Sequence, residues 1–206
     1  MGNGFPKNQP KSINGCLNMS EKPSENYFKV IEGEAKKYGW GLMVLKPETV
    51  KETIKKILMR FGKAKILEIG AFKCMFKNWL EKHFKGKYEY VGVDIADFGC
   101  PDNAKFYVMA PTYLMFPPRS FNTVVMFETL EHIFDYPQAL REAYRVLVDG
   151  GVLIVQSVIC TDKCALLDET HYHVLHPITL SRLLKHIGFR KVEWKADGTF
   201  IVVAEK

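Results

Sequence analysis

Apolar positions recur every three to four residues between Pro47 and Gly62, where Val50, Ile54, Ile57, Leu58 and Phe61 make one stripe. That spacing predicts an amphipathic helix opened by proline and closed by glycine. A fainter helical pattern precedes it, over Glu25 to Tyr38, and Trp40 and Met43 lie between the two as core or lid contacts. The pattern then changes period. Lys65-Ile66-Leu67-Glu68-Ile69-Gly70 and Tyr90-Val91-Gly92-Val93-Asp94 are short apolar runs that end in an acid or a glycine, as parallel strands do at their carboxyl edge. A helix striped by Met75, Phe76, Trp79, Leu80 and Phe84 lies between them. Ile95 to Ala104 is too rich in Gly, Pro and Asp for another helix, so the next crossover is minimal.

A third strand is expected over Lys105 to Met109 and a fourth over Asn122 to Phe127, apolar on both faces. The intervening loop, Ala110 to Ser120, carries three prolines with Tyr113, Leu114, Met115 and Phe116, which either pack under the sheet edge or line a pocket. Asp135-Tyr136-Pro137-Gln138 is a candidate capping box for a helix running through Leu140, Ala143, Tyr144 and Leu147 to Gly150-Gly151. A fifth strand over Val152 to Ser157, a long loop from Val158 to His176, and a helix from Pro177 to Gly188 follow. Two last strands, near Lys191 to Lys195 and Thr199 to Ala204, flank the hairpin turn Asp197-Gly198. Strands alternating with helices define an α/β fold: a doubly wound, mostly parallel seven-stranded sheet with a C-terminal antiparallel hairpin. The expected organisation is a flexible tail over 1–24, a helical extension over 25–62 and one α/β domain over 63–206.

Composition supports a globular chain. The 206 residues are 47% hydrophobic and 25% charged, with 14 Phe, enough for a sizeable core. The net charge of +6 is spread over short groups such as Lys36-Lys37 and Lys55-Lys56, which read as solvated surface and make nucleic acid a disfavoured partner. Five cysteines without a leader-like start predict reduced thiols and a cytoplasmic location, with Cys74 and Cys100 packed rather than reactive. No stretch has the ~18 apolar residues of a membrane span.

The chemistry gathers at the strand ends. Glu68 and Gly70 close the first strand, and Asp94 closes the second about 20 residues later, the spacing at which such sheets hold a nucleotide-like cofactor. The glycine permits close backbone approach, and the aspartate can accept hydrogen bonds from two neighbouring hydroxyls.

Taken in order, Ile66-Leu67-Glu68-Ile69-Gly70, Val91-Gly92-Val93-Asp94, Phe121 through Phe127-Glu128-Thr129-Leu130-Glu131-His132, Ala139 to Leu147, Gly150-Gly151 and His176-Pro177 to Gly188-Phe189 resemble the class I S-adenosylmethionine-dependent methyltransferases. The likeness is to the group with a Leu-Glu-His signature after strand four, and it covers roughly residues 64 to 206. It implies that Glu68, Gly70, Ala71 and Phe72 orient the methionine portion of S-adenosyl-L-methionine. It also implies that Asp94 and Ile95 serve the ribose, and that Phe127 and Glu128 pass beneath the methionine moiety. Four positions depart from the family's pattern: Phe72 and Cys74 stand where further glycines are usual, Ala110 where an aspartate is common after strand three, and Asn122 where an acid is usual.

A methyl acceptor that must lose a proton needs a base. His171 and His173, in the loop after strand five, are the candidates, while Glu131 and His132 have capping and bracing as their plainer reading. Cys160, Cys164, His171, His173 and His176 include zinc donors, but their spacing is not that of a tight structural site, and no metal ligand is assigned. The expected activity is methyl transfer to a small-molecule or glycan-type acceptor. The alternatives are a non-catalytic scaffold of the same fold and, from charge alone, an RNA methyltransferase.

Overall fold

A computed structural model describes residues 46–159 and 163–206. The expected tail, the pattern over Glu25 to Tyr38, Trp40, Met43 and Cys160 lie outside the described residues. Helix α1 (Pro47–Phe61) leads into β1 (Ala64–Ile69), α2 (Met75–Phe84), β2 (Tyr88–Asp94), β3 (Phe106–Val108) and β4 (Phe121–Phe127). A 3-10 turn (Leu130–His132) follows, then α3 (Tyr136–Val146), β5 (Leu147–Val158), the short α4 (Lys163–Leu167), α5 (Pro177–Ile187), β6 (Arg190–Asp197) and β7 (Thr199–Glu205).

The seven strands are ordered β3-β2-β1-β4-β5-β7-β6. Pairing is parallel from β3 through β5, and β7 runs antiparallel to both β5 and β6. The order reverses between β1 and β4, and a sheet of this kind opens its ligand crevice at that reversal, outside the carboxyl ends of the strands. Gly70, Asp94 and Glu128 all follow or end strands at this edge.

Side-chain alternation sorts the core into two layers. Ile66, Tyr90, Val125 and Ile154 face α1 and α2, meeting Val50, Ile54, Phe76, Trp79 and Leu80. Leu67, Val91, Val124 and Leu153 face the other way, onto Leu140 and Ala143 of α3 and Leu180 and Leu184 of α5. Each such side chain removed from water contributes about 1.5–3 kcal/mol, so both faces hold the sheet. Of the α1 stripe, Phe61 is exposed, and Thr53 takes the buried place expected of an apolar residue.

The bounds of α3 and β5 differ from the sequence expectation. Asp135 caps α3 by accepting a hydrogen bond from the Gln138 amide, but the Gln138 side chain donates to the Thr112 carbonyl instead of closing a box. The helix ends at Val146, short of the glycines, because Leu147 is extended and pairs with Phe121. The stretch Val148 to Gly151 bulges out before Val152 resumes pairing opposite Thr123.

Leu114 and Phe116 are buried while Tyr113 and Met115 are exposed, so the proline-rich loop both packs and faces outward. Arg145 holds it, donating to the Leu114 and Phe116 carbonyls, while Glu142 accepts from the Leu114 amide. Cys74 and Cys100 depart from the expected reduced thiols: the Cα atoms lie 5.3 Å apart and the two sulfurs form a disulfide.

Asn122 explains its own departure from the family's acid. Its Oδ1 accepts from the Lys65 amide at 2.8 Å and its Nδ2 donates to the Lys63 carbonyl at 2.7 Å, clamping the start of β1. A carboxylate can fill only the first role. Asn122→Asp is expected to cost about 2 kcal/mol at neutral pH and to recover most of that below about pH 4, where a protonated carboxyl donates again. Urea midpoints at the two pH values test this, and an unchanged midpoint at pH 7 refutes it.

Candidate active site at the carboxyl edge

The turn after β1 is built by close approach. Gly70 has φ +76°, and a Cβ placed on it would lie 2.2 Å from Thr129 Oγ1 and 2.3 Å from Thr129 Cγ2. Thr129 is held there by donating to the Phe127 carbonyl at 2.8 Å. Two and four residues further on, Phe72 (φ 47°) and Cys74 (φ 57°) adopt the left-handed conformation that glycine would take. The backbone shape associated with the family's glycines is therefore present without them, at a cost of roughly 1–2 kcal/mol per residue. The Phe72 ring packs 5.0 Å from that of Phe98.

The amides of this turn bond inward. Gly70 and Ala71 both donate to the Val93 carbonyl, at 2.9 and 3.0 Å, and Phe72 donates to Asp94 Oδ2 at 2.8 Å. Ile95 donates to Asp94 Oδ1 at 2.7 Å. Each Asp94 oxygen thus takes one amide, and a carboxylate oxygen has lone-pair capacity for about one more. Burial raises the Asp94 pKa to about 6, against the pull of these two amides, so the group is mostly ionised at neutral pH.

Glu68 lies in the buried layer shared with Tyr90, whose hydroxyl hydrogen-bonds Glu68 Oε2. Gly92 makes this contact sterically open: it pairs with Glu68 across the strands, and a Cβ on it would lie 2.9 Å from both the Tyr90 hydroxyl and Ala71 Cβ. Burial raises the Glu68 pKa to about 8, only partly offset by the Tyr90 bond, so Glu68 is mainly protonated at neutral pH. Tyr90 itself is pushed far upward by burial and by Glu68.

Across the crevice, Phe127 is buried against Phe76, with ring centroids 5.0 Å apart. Glu128 (φ 45°) accepts from Gln156 Nε2 at 3.0 Å, and its amide donates to the Gln156 carbonyl at 2.9 Å. Burial raises its pKa. One turn on, Glu131, His132 and His171 come together. His171, with its ring 4.7 Å from that of His132, also has Nδ1 at 2.9 Å from the Ala165 carbonyl. His173 is elsewhere: its Nε2 lies 2.8 Å from the Phe134 carbonyl and its ring packs on Tyr136. His176 caps α5, its Nδ1 accepting from the Ile178 amide.

The structure thus gathers Gly70, Ala71, Phe72, Asp94 and Ile95 into one hydrogen-bonded turn. It places Glu68 beneath that turn and Phe127 with Glu128 on the facing strand, and it separates His171 from His173. Tyr90, Gly92, Thr129 and Gln156 are the residues that sequence reasoning passed over. Tyr90, Gly92 and Asp94 share one face by strand alternation, so a large residue beside a glycine was the available signal.

This edge, with its order reversal and terminal antiparallel pair, is that of a class I methyltransferase-like domain. A family model described as a methyltransferase domain matches residues 47–193, and the chain belongs to that family. A protein of Mycolicibacterium smegmatis named "probable S-adenosylmethionine-dependent methyltransferase" is 32% identical over 80 residues, 37% of this chain and 31% of its own length. The chain therefore matches about a third of that relative. Among solved structures, an S-adenosylmethionine-dependent methyltransferase from Archaeoglobus fulgidus has a TM-score of 0.65 at 20% identity, covering 87% of this chain and all of the other. One from Methanosarcina mazei has a TM-score of 0.57 at 19% identity, covering 73% and 96%. At these identities the two structures show the shared fold.

Gly70→Ala is expected to lose at least about 2 kcal/mol, from its positive φ and the overlap with Thr129. Thr129→Ala in that background should return part of the loss, and thermal melts of the four proteins measure the coupling. Strict additivity would show that the contact carries no energy.

Glu68 sets a pH dependence. Its folded pKa of about 8 exceeds the ordinary 4.5, so its contribution to stability is complete below pH 4.5 and is lost as pH rises through 8. Glu68→Gln, which cannot ionise, should gain on the wild type by up to about 4 kcal/mol between pH 5 and 8. Asp94 titrates in both proteins and cancels. Denaturation across that range reads the difference, and a constant offset would contradict the shift.

Proposed function

We propose that the protein is a methyltransferase that transfers a methyl group from S-adenosyl-L-methionine to a small-molecule or glycan-type acceptor. The observation that carries the reading is the Asp94 carboxylate, half-buried at the end of β2 beside the Gly70 turn, with one amide on each oxygen. The residues fit the cofactor. The ribose hydroxyls suit the remaining acceptor capacity of Asp94, and glycine at position 70 lets Thr129 close on the turn that presents Asp94. The facing strand end offers Phe127 and Glu128. When bound, the cofactor supplies an electrophilic methyl group on a sulfonium sulfur.

The protein's part is chiefly positioning, which can supply much of the rate of an in-line displacement. Asp94 orients the nucleoside, and the Phe127 ring excludes water on one side. For a hydroxyl acceptor, His173 is favoured over His171 as the proton acceptor. Its Nε2 is committed to the Phe134 carbonyl, which leaves the lone pair on Nδ1, whereas the His171 side chain is nearly buried. A cytoplasmic location belongs to the same proposal. The Cys74–Cys100 bond weighs against it, since reducing compartments keep thiols apart.

Calorimetric titration with S-adenosylhomocysteine tests the reading. Wild-type protein should bind in the micromolar range, and Asp94→Ala should weaken binding about 100-fold, the equivalent of two charge-assisted hydrogen bonds. No binding at millimolar ligand would leave the domain a scaffold rather than an enzyme.

A further inference from the structure

We propose that Glu131, His132 and His171 form a binding site for a divalent transition-metal ion of the zinc type, on the carboxyl edge of the sheet. One donor atom from each of the three lies within 4.8 Å of the others. Tetrahedral coordination at about 2.0–2.2 Å per bond would draw these atoms together by little more than an ångström. Proximity alone would not make a site, and two further observations point to a cation.

The first is the Glu131 carboxyl. Only 1% of the residue is exposed, and neither carboxyl oxygen has a hydrogen-bond partner among the described residues. Glu128 and Ser157 stand beside it, yet neither meets it in hydrogen-bonding geometry. A buried carboxyl without partners costs free energy unless it meets a cation or keeps a proton. The second is the orientation of the rings. His132 Nδ1 lies 3.1 Å from the Thr170 carbonyl and His171 Nδ1 lies 2.9 Å from the Ala165 carbonyl. In each case the Nδ1 must carry the proton to make the bond, which puts the ring's lone pair on Nε2. Metal-bound histidines are held this way, with the second nitrogen fixed on a carbonyl or carboxylate.

Asp168 completes the surroundings. Its Oδ2 faces His171 Nε2 at 3.6 Å, beyond a good hydrogen bond, while its Oδ1 accepts from the Thr170 amide and hydroxyl. Two imidazoles and a carboxylate suit first-row divalent ions better than magnesium or calcium, which prefer all-oxygen sites. Three protein donors leave a coordination position for an oxygen of water or of a bound ligand. The Cys-and-His spacing read from the sequence shares only His171 with this set. The assignment does not depend on methyl transfer, and its readout is metal binding.

The test uses the whole 206-residue chain, stripped with a chelator and then titrated with Co²⁺ by visible absorption and with Zn²⁺ by calorimetry. One equivalent should bind, with d–d bands of nitrogen and oxygen ligation and no thiolate-to-cobalt band. Glu131→Gln and His171→Ala should each weaken binding at least about tenfold. Should either variant fail to fold, the wild type still decides: Zn²⁺ should raise its Tm and the chelator should reverse the rise. The proposal falls if neither ion binds at millimolar concentration, if folded variants bind as the wild type does, or if a thiolate band assigns the ion to cysteines. Binding of S-adenosylhomocysteine is a separate measurement, so failure of the cofactor reading and failure of the metal site remain distinguishable.

Discussion

The close approach of Thr129 to Gly70 is the contact on which the edge of the sheet depends. With no side chain at position 70, the segment leaving β4 settles against the turn leaving β1, at the point where the strand order reverses. One side of that contact holds the turn bonded to Val93 and Asp94, and the other leads directly to the Leu130–His132 turn. A displacement at Thr129 would therefore move both the crevice wall and the Glu131 cluster. Close-packed interiors transmit such shifts because they have few voids to absorb them.

Electrostatics give the two halves of this edge different characters. Glu68, kept largely protonated by burial, acts as a neutral partner to Tyr90 beneath the turn, while Asp94 is mostly ionised at neutral pH because two amides oppose its desolvation. Ionising both carboxyls in one buried region would add mutual repulsion, and the separation of their pKa values relieves it. Beyond Thr129, the Glu131 carboxyl is pushed well upward by burial and by Glu128, while His132 is lowered to about 4, chiefly by burial.

Much of the fold was legible in the residue pattern. The α1 start at Pro47, the whole of α2, the last helix and the hairpin at Asp197-Gly198 follow from periodicity and turn chemistry. The end of α3 was not, because pairing of Leu147 with Phe121 overrides the stop signal of Gly150-Gly151. Local propensity yields to strand pairing when the partner strand is already buried. The thiols of Cys74 and Cys100 were read from cysteine count, which carries no information on distance.

By itself the sequence determined the order of elements, the strand ends that carry Glu68, Gly70, Asp94 and Glu128, and the family. These depend on spacing along the chain. Only the tertiary structure decided that Tyr90 bonds Glu68 across Gly92, that Phe72 and Cys74 keep glycine's backbone shape, and that His171 joins Glu131 and His132 while His173 does not. Those relations join residues on different strands and loops, and their distances are set by sheet register and packing rather than by separation in sequence.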